Sequence, residues 1–184
     1  KEKLLAALPD LLEDAENGLT RSSRGLLHEM YEQWRQANEA IKRIEKGLKN
    51  QARSNDDAQR LMRMKGVAVK IATATIAHAG NGHGYKSGRH FSANLGLVPR
   101  EYSSGGQQRL GGITKRGNQY LRGLLIQGAW SVVRNVDKND DRLSRWAKQL
   151  VERRGKQKTV VAVANKMARI MWSMLYHQTE YRAN

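Results

Sequence analysis

Leu27, Met30, Trp34, Ala37, Ile41, Ile44 and Leu48 follow one another at alternating spacings of four and three residues, without a break. That rhythm is a heptad seam, with Leu27, Trp34, Ile41 and Leu48 at a and Met30, Ala37 and Ile44 at d. The positions between them are charged (Glu32, Arg35, Glu39, Lys42, Arg43, Glu45, Lys46). The pattern predicts one long helix from Leu19 to about Arg53, burying a narrow stripe against a single partner helix. The partner is either a second copy of the chain, in a dimerisation coiled coil, or another helix of the same chain. Trp34 and Ala37 make the seam irregular, which leaves both open.

Around this helix the sequence reads as further helices. Leu4, Leu5, Leu8, Leu11 and Leu12 recur at helical spacing in an N-terminal arm over residues 1–18 that closes at Asn17-Gly18, with Pro9 tolerable only near a first turn. The coiled-coil segment spans 19–55 and ends at the capping sequence Ser54-Asn55-Asp56. Two short helices over 57–65 and 67–79 flank Lys65-Gly66. They are either a phosphate-gripping helical hairpin, which usually has a second glycine where Ala68 stands, or a plain packed pair. His78, His83 and His90 lie at spacings of 5 and 7, with no acidic neighbour to complete a metal set. After a short turn with Phe91 and Leu95, an amphipathic helix spans 118–133, a polar connector 135–141 and a basic helix 142–154. Arg154-Gly155-Lys156 is a break, and an apolar helix over 159–177 ends the series. The expected class is all-α: a long coiled-coil helix, then a compact helical domain over 56–184.

The exception to helical periodicity is Leu97–Arg122, rich in glycine and poor in apolar residues. Glycine has no side chain to pack and loses the most entropy on ordering, so packing does not account for such a stretch. Glycines let backbone N–H groups approach an anion, and Arg109, Lys115, Arg116 and Arg122 can neutralise one. Ser103, Ser104 and Gly105 then lie in a phosphate-binding Ser/Gly loop, placed to bind a nucleic-acid backbone or attack it. The next helix adds the positive end of its dipole.

Composition supports a polyanionic partner. The 184 residues carry 33 Lys and Arg against 17 Asp and Glu, a net charge of +16, and nucleic acid is the common counterpart of such an excess. With no cysteine, disulfides and thiolate metal sites are excluded. No apolar run approaches the roughly 18 residues of a membrane span. A serine hydrolase fits poorly, since the sequence has no Gly-x-Ser-x-Gly elbow and no placed His/Asp pair.

FSANLGLVPREYSSGG, followed by RLGGITKRGNQYLR, resembles the C-terminal domain of insertion-sequence transposases of the IS116/IS110/IS902 type, a family that includes the pilin-gene invertases. The likeness extends more loosely from about Arg60 through the final helix, and the preceding coiled coil fits the family layout. The resemblance implies a DNA transposase in which a serine of this domain attacks a phosphodiester and forms a phosphoserine intermediate. The matching position is Ser104, with Ser103 second. It also implies a ribonuclease-H-like N-terminal domain whose acidic residues bind magnesium. The chain begins at Lys1, without methionine or that domain's βαβ pattern, so it reads as a C-terminal fragment, inactive alone and with no cofactor of its own. The expected partners are DNA, a structured guide RNA and further copies of the chain, in the bacterial cytoplasm at the nucleoid. The competing reading is a non-catalytic basic module for DNA or RNA binding and dimerisation.

Overall fold

The computed structural model describes residues 2–183, with side chains from residue 7 onward. Lys1 and Asn184, and the side chains of Leu4 and Leu5 on the expected arm, lie outside the described residues. The chain is predominantly α-helical and divides into two compact units, residues 1–47 and 48–184.

In the first unit, α1 spans Glu2–Glu13 and keeps Pro9 inside the helix, past the first turn where the sequence reading tolerated it. Leu12 is buried. The arm closes at Gly18 (φ +70), where the Asn17 side chain accepts the Leu19 amide at 3.2 Å and the Arg24 guanidinium at 3.1 Å. Helix α2 spans Arg21–Arg53, 33 residues. Along it Met30 (66%), Trp34 (40%), Ile41 (52%) and Ile44 (64%) are exposed, as is Ala37, while Leu27 and Leu48 are half-buried.

The second unit carries the main core. Ala52, in the last turns of α2, is fully buried, and its carbonyl accepts the Gln59 side chain at 2.9 Å. Asn55 caps α3 (Asp56–Met62) by accepting the Ala58 amide at 2.8 Å. A tight turn at Gly66 leads to α4, Val69–Ala79. A Cβ on Gly66 would stand 2.7 Å from the Gly128 carbonyl, and one on Gly128 would stand 2.3 Å from that of Gly66. The turn therefore lies backbone to backbone against the helix that carries Gly128.

Ser87 caps the short α5 (Gly88–Asn94). Asn118 caps α6, Gln119–Arg134, and a 3-10 turn over Val136–Lys138 precedes α7, Arg142–His177. Gly155, at φ +75 and ψ 164, interrupts α7 at the expected break. Phe91, Leu95, Leu121, Leu125, Val163 and Met167 are fully buried where α5, α6 and α7 meet.

One element departs from the all-α expectation. The stretch read as an irregular Ser/Gly loop is a β-hairpin: β1 (Pro99–Glu101) pairs antiparallel with β2 (Leu110–Ile113), Pro99 opposite Ile113 and Glu101 opposite Leu110, with a bulge between. Gly105 (φ +58) and Gly106 (φ +77) form its tip, and the Gln107 amide bonds the Ser104 carbonyl at 3.1 Å. A two-residue turn with both central φ angles positive matches strand twist and demands residues such as Gly-Gly. The glycines thus shape the turn of a projecting arm.

Candidate functional site

The hairpin separates the expected site residues into a tip and a base. Ser103, Ser104, Gly105 and Arg109 lie at the exposed tip. The Ser103 hydroxyl donates to the Glu101 carboxylate at 2.6 Å and accepts the Arg109 amide at 3.2 Å, while the Tyr102 amide bonds the Arg109 carbonyl at 2.9 Å. These bonds fix Ser103 and Arg109 relative to each other across the bulge. The Ser104 hydroxyl makes no hydrogen bond among the described residues; only its backbone carbonyl is engaged.

Lys115 and Arg116 are exposed at the base. Lys115 adopts a left-handed φ of +57 while its amide bonds the Gly96 carbonyl at 3.1 Å, and the Thr114 amide bonds the Val98 carbonyl at 2.9 Å. The base is built by close backbone approach. A Cβ on Gly96 would meet the Arg116 carbonyl oxygen at 2.2 Å, and one on Gly117 would meet the Asn94 carbonyl oxygen at 1.7 Å.

Arg122, expected to face a phosphate, points inward instead. It is 9% exposed, and its Nη1 donates to the carbonyls of Leu95 at 3.0 Å and Arg116 at 3.2 Å. In this structure its guanidinium ties the two segments at the hairpin base together. Arg122 stands three residues before the buried Leu125, on the apolar stripe of α6, and that spacing is the signal that could have revealed it.

Two positioning side chains escaped sequence reasoning. His78 bonds Asn94 through Nε2 at 2.9 Å and the Asn118 side chain through Nδ1 at 3.2 Å, linking α4, the end of α5 and the cap of α6. The Asn165 side chain on α7 donates to the Leu97 carbonyl at 3.0 Å, just before β1. No sequence spacing relates these residues, because each contact crosses between elements. The arm is thus an exposed turn on a rigid pedestal, chemically able to present a hydroxyl and cations to an anion.

Residues 58–145 match the model of the Transposase IS116/IS110/IS902 family, covering the hairpin, its pedestal and the first turn of α7. The chain matches the IS116/IS110/IS902 transposase family. It is 44% identical over 157 residues to a "Probable family 20 transposase" of Pseudomonas aeruginosa, covering 85% of this chain and 46% of the relative. It is 42% identical over 175 residues to the transposase for insertion sequence element IS1111A of Coxiella burnetii, covering 95% and 48%. To the transposase for insertion sequence element IS1328 of Yersinia enterocolitica it is 37% identical over 147 residues, covering 80% and 44%. The chain spans about half the length of the curated relatives it matches. Among the described residues no helix is long and apolar enough to cross a membrane.

Proposed function

We propose that this chain is the DNA-cleaving transposase domain of a transposition enzyme, with Ser104 as nucleophile. The observation that carries the reading is the position of Ser104: next to a Gly-Gly turn, at the tip of an exposed arm, with its hydroxyl unengaged. Its Oγ attacks a strand phosphorus, a phosphoserine ester forms, and one ester P–O bond breaks, its oxygen leaving with the departing strand end. The serine loses its proton and the leaving oxygen takes one up, so the exchange of one phosphate ester for another balances without a further reactant. Phosphoryl transfer asks mainly for positioning and charge stabilisation, which a pre-shaped turn flanked by cations supplies. Arg109 at the tip and Lys115 and Arg116 at the base neutralise phosphate charge. Arg122 acts by holding the base together.

The family implies magnesium held by acidic residues of a ribonuclease-H-like domain. Among the described residues no group of three or more His, Asp or Glu could hold a metal ion, so these residues do not fit that role and no step here runs through the ion. Exposed Met30, Trp34, Ile41 and Ile44 support self-association of α2 as a coiled coil, which would bring together the several sites that strand exchange needs. A structured guide RNA is a further proposed partner, and the nucleoid the proposed place of action.

One observation favours a second reading. The Ser103 hydroxyl lies 2.6 Å from Glu101, a carboxylate able to accept its proton, which suits Ser103 as nucleophile. The test uses a form carrying the N-terminal domain, with DNA, magnesium and any guide RNA, assayed for a denaturation-resistant protein–DNA adduct. Loss of the adduct in Ser104→Ala but not Ser103→Ala, with the wild-type adduct mapped to the Ser104 peptide, is the expected result. The reverse pattern makes Ser103 the nucleophile. An adduct in both variants leaves the domain as a nucleic-acid-binding module.

A further inference from the structure

Below the hairpin, between β2 and α7, runs an open groove of about 1750 Å³. That exceeds the roughly 300–1,000 Å³ usual for a small-molecule site and leaves room for a polymer. Arg89, Lys115, Lys158, Lys166 and Arg169 line it, and no Asp or Glu does. Among the described residues none of the five is in an ion pair. The floor is apolar, from Leu97, Ile113, Val161 and Ile170, with the indoles of Trp146 and Trp172 at its sides. Lys166 Nζ stands 4.0 Å from the centroid of the Trp146 ring, so an ammonium and an aromatic plane form one composite wall.

Cations with no acidic counterpart call for an anion, and the apolar floor calls for flat uncharged faces. A nucleic-acid strand offers both only when its bases are unstacked, since a duplex turns its phosphates outward and hides its base faces. Burial, then Arg142 and Arg169, push the Lys166 ammonium below its ordinary lysine value, a cost that a phosphate in the groove would relieve. The wall formed by β2 rises to the turn that bears Ser104: Gln107, which pairs with Ser104, lies three residues and about 10 Å along the strand from Leu110 at the edge of the groove.

We infer that this groove binds single-stranded DNA, with its phosphates on Arg89, Lys158, Lys166 and Arg169 and its unstacked bases on the apolar floor beside Trp146. The inference rests on the reading of Ser104 as a DNA-cleaving residue: a strand released at the tip is unpaired before it can be exchanged, and the groove holds it there. The Asn165 side chain on α7, donating to the Leu97 carbonyl at 3.0 Å, keeps the hairpin base beside α7, so the groove and the tip act on one continuous strand.

The test is fluorescence anisotropy of this chain with a labelled oligothymidylate, the equivalent duplex and the equivalent oligouridylate RNA. The single DNA strand is expected to bind more tightly than either. Trp146→Leu removes the ring that holds the Lys166 ammonium in the groove wall and should weaken that binding roughly tenfold. Lys158→Glu with Arg169→Glu, at exposed positions, should weaken it at least about tenfold. Lys42→Glu with Lys46→Glu makes the same charge change on α2 and should leave binding within about twofold. Far-UV circular dichroism confirms folding of each variant, and the exposed charge pair carries the test if Trp146→Leu unfolds. Equal loss in the α2 pair, tighter binding of duplex or RNA, or unchanged binding in the groove variants overturns the inference. Ser104→Ala should bind as wild type does, so failure of cleavage and failure of the groove are read separately.

Discussion

Gly117 sits at φ +80 with the Asn94 carbonyl oxygen where a Cβ would be, 1.7 Å away. Gly117→Ala therefore combines backbone strain with a clash against backbone, and urea unfolding should show a loss of at least about 3 kcal/mol. Removing the Arg122 guanidinium has a different cause. Arg122→Ala leaves the carbonyls of Leu95 and Arg116 without that donor, and should cost about 2–3 kcal/mol in the same measurement. Asp141 gives the pH dependence. Burial alone would raise its pKa, but the Lys65 ammonium at 2.8 Å and the hydroxyl and amide of Ser144 outweigh that and hold it at about 2, against an ordinary 3.8. A depressed carboxylate contributes stability that is complete above its unfolded pKa and is lost as pH falls through the folded one. About 2 kcal/mol should therefore disappear between pH 4 and pH 2, and Asp141→Asn should flatten that part of the stability profile. At this scale the residue types of the site were legible but not their directions. Glycine and arginine in Lys-Arg-Gly-Asn-x-x-Leu-Arg pointed to anion binding. The structure uses Gly117 for close backbone approach and Arg122 for binding carbonyls, contacts made across segments that no local pattern encodes.

The elements were more legible than the residues, because helical periodicity and caps are local. The 33-residue α2, the Asn55 cap and the break at Gly155 stand where the spacing predicted them. The hairpin was hidden: Leu-Gly-Gly-Ile has no alternating pattern and little β-branching, and its strands are exposed on both faces. The one available signal was Gly-Gly between the residues that pair, Ser104 and Gln107. Because Gly106 stands at φ +77 with nothing within 4 Å of its would-be Cβ, Gly106→Val should distort the tip and leave the core alone. Global stability should fall by no more than about 1–3 kcal/mol, the strain at that φ, while adduct formation by a form carrying the proposed N-terminal domain falls on the order of 10²-fold. For α2 the exposed seam makes a separate prediction. On the coiled coil proposed above, Ile41→Glu with Ile44→Glu places charges on the interface, and sedimentation equilibrium should report monomers where self-association is the expected behaviour of the unaltered chain.

Over the whole molecule, charge is divided as sharply as structure. Residues 1–47 hold eight Lys and Arg and nine Asp and Glu, for a net charge of −1. Residues 48–184 hold 25 and eight, for +17. The entire excess of the chain thus belongs to the unit that carries the hairpin, its pedestal and the basic groove, while the unit with the apolar seam is close to neutral. Within that unit the acidic residues 1–20, at −3, offset the +2 of residues 21–47 on α2, which lowers the like-charge repulsion that would oppose association. A surface meant for a polyanion gains from concentrated charge, because each neutralised phosphate releases a condensed counterion. Nucleic-acid binding should therefore be steeply salt-dependent and self-association nearly independent of salt. With at least about six phosphates engaged, DNA affinity should fall on the order of 10³-fold between 50 and 200 mM salt. Association through α2, driven by apolar burial, should stay within about threefold over the same range. Anisotropy and sedimentation on one salt series measure both. A shared collapse would mean that the copies are held together through the nucleic acid rather than through the seam.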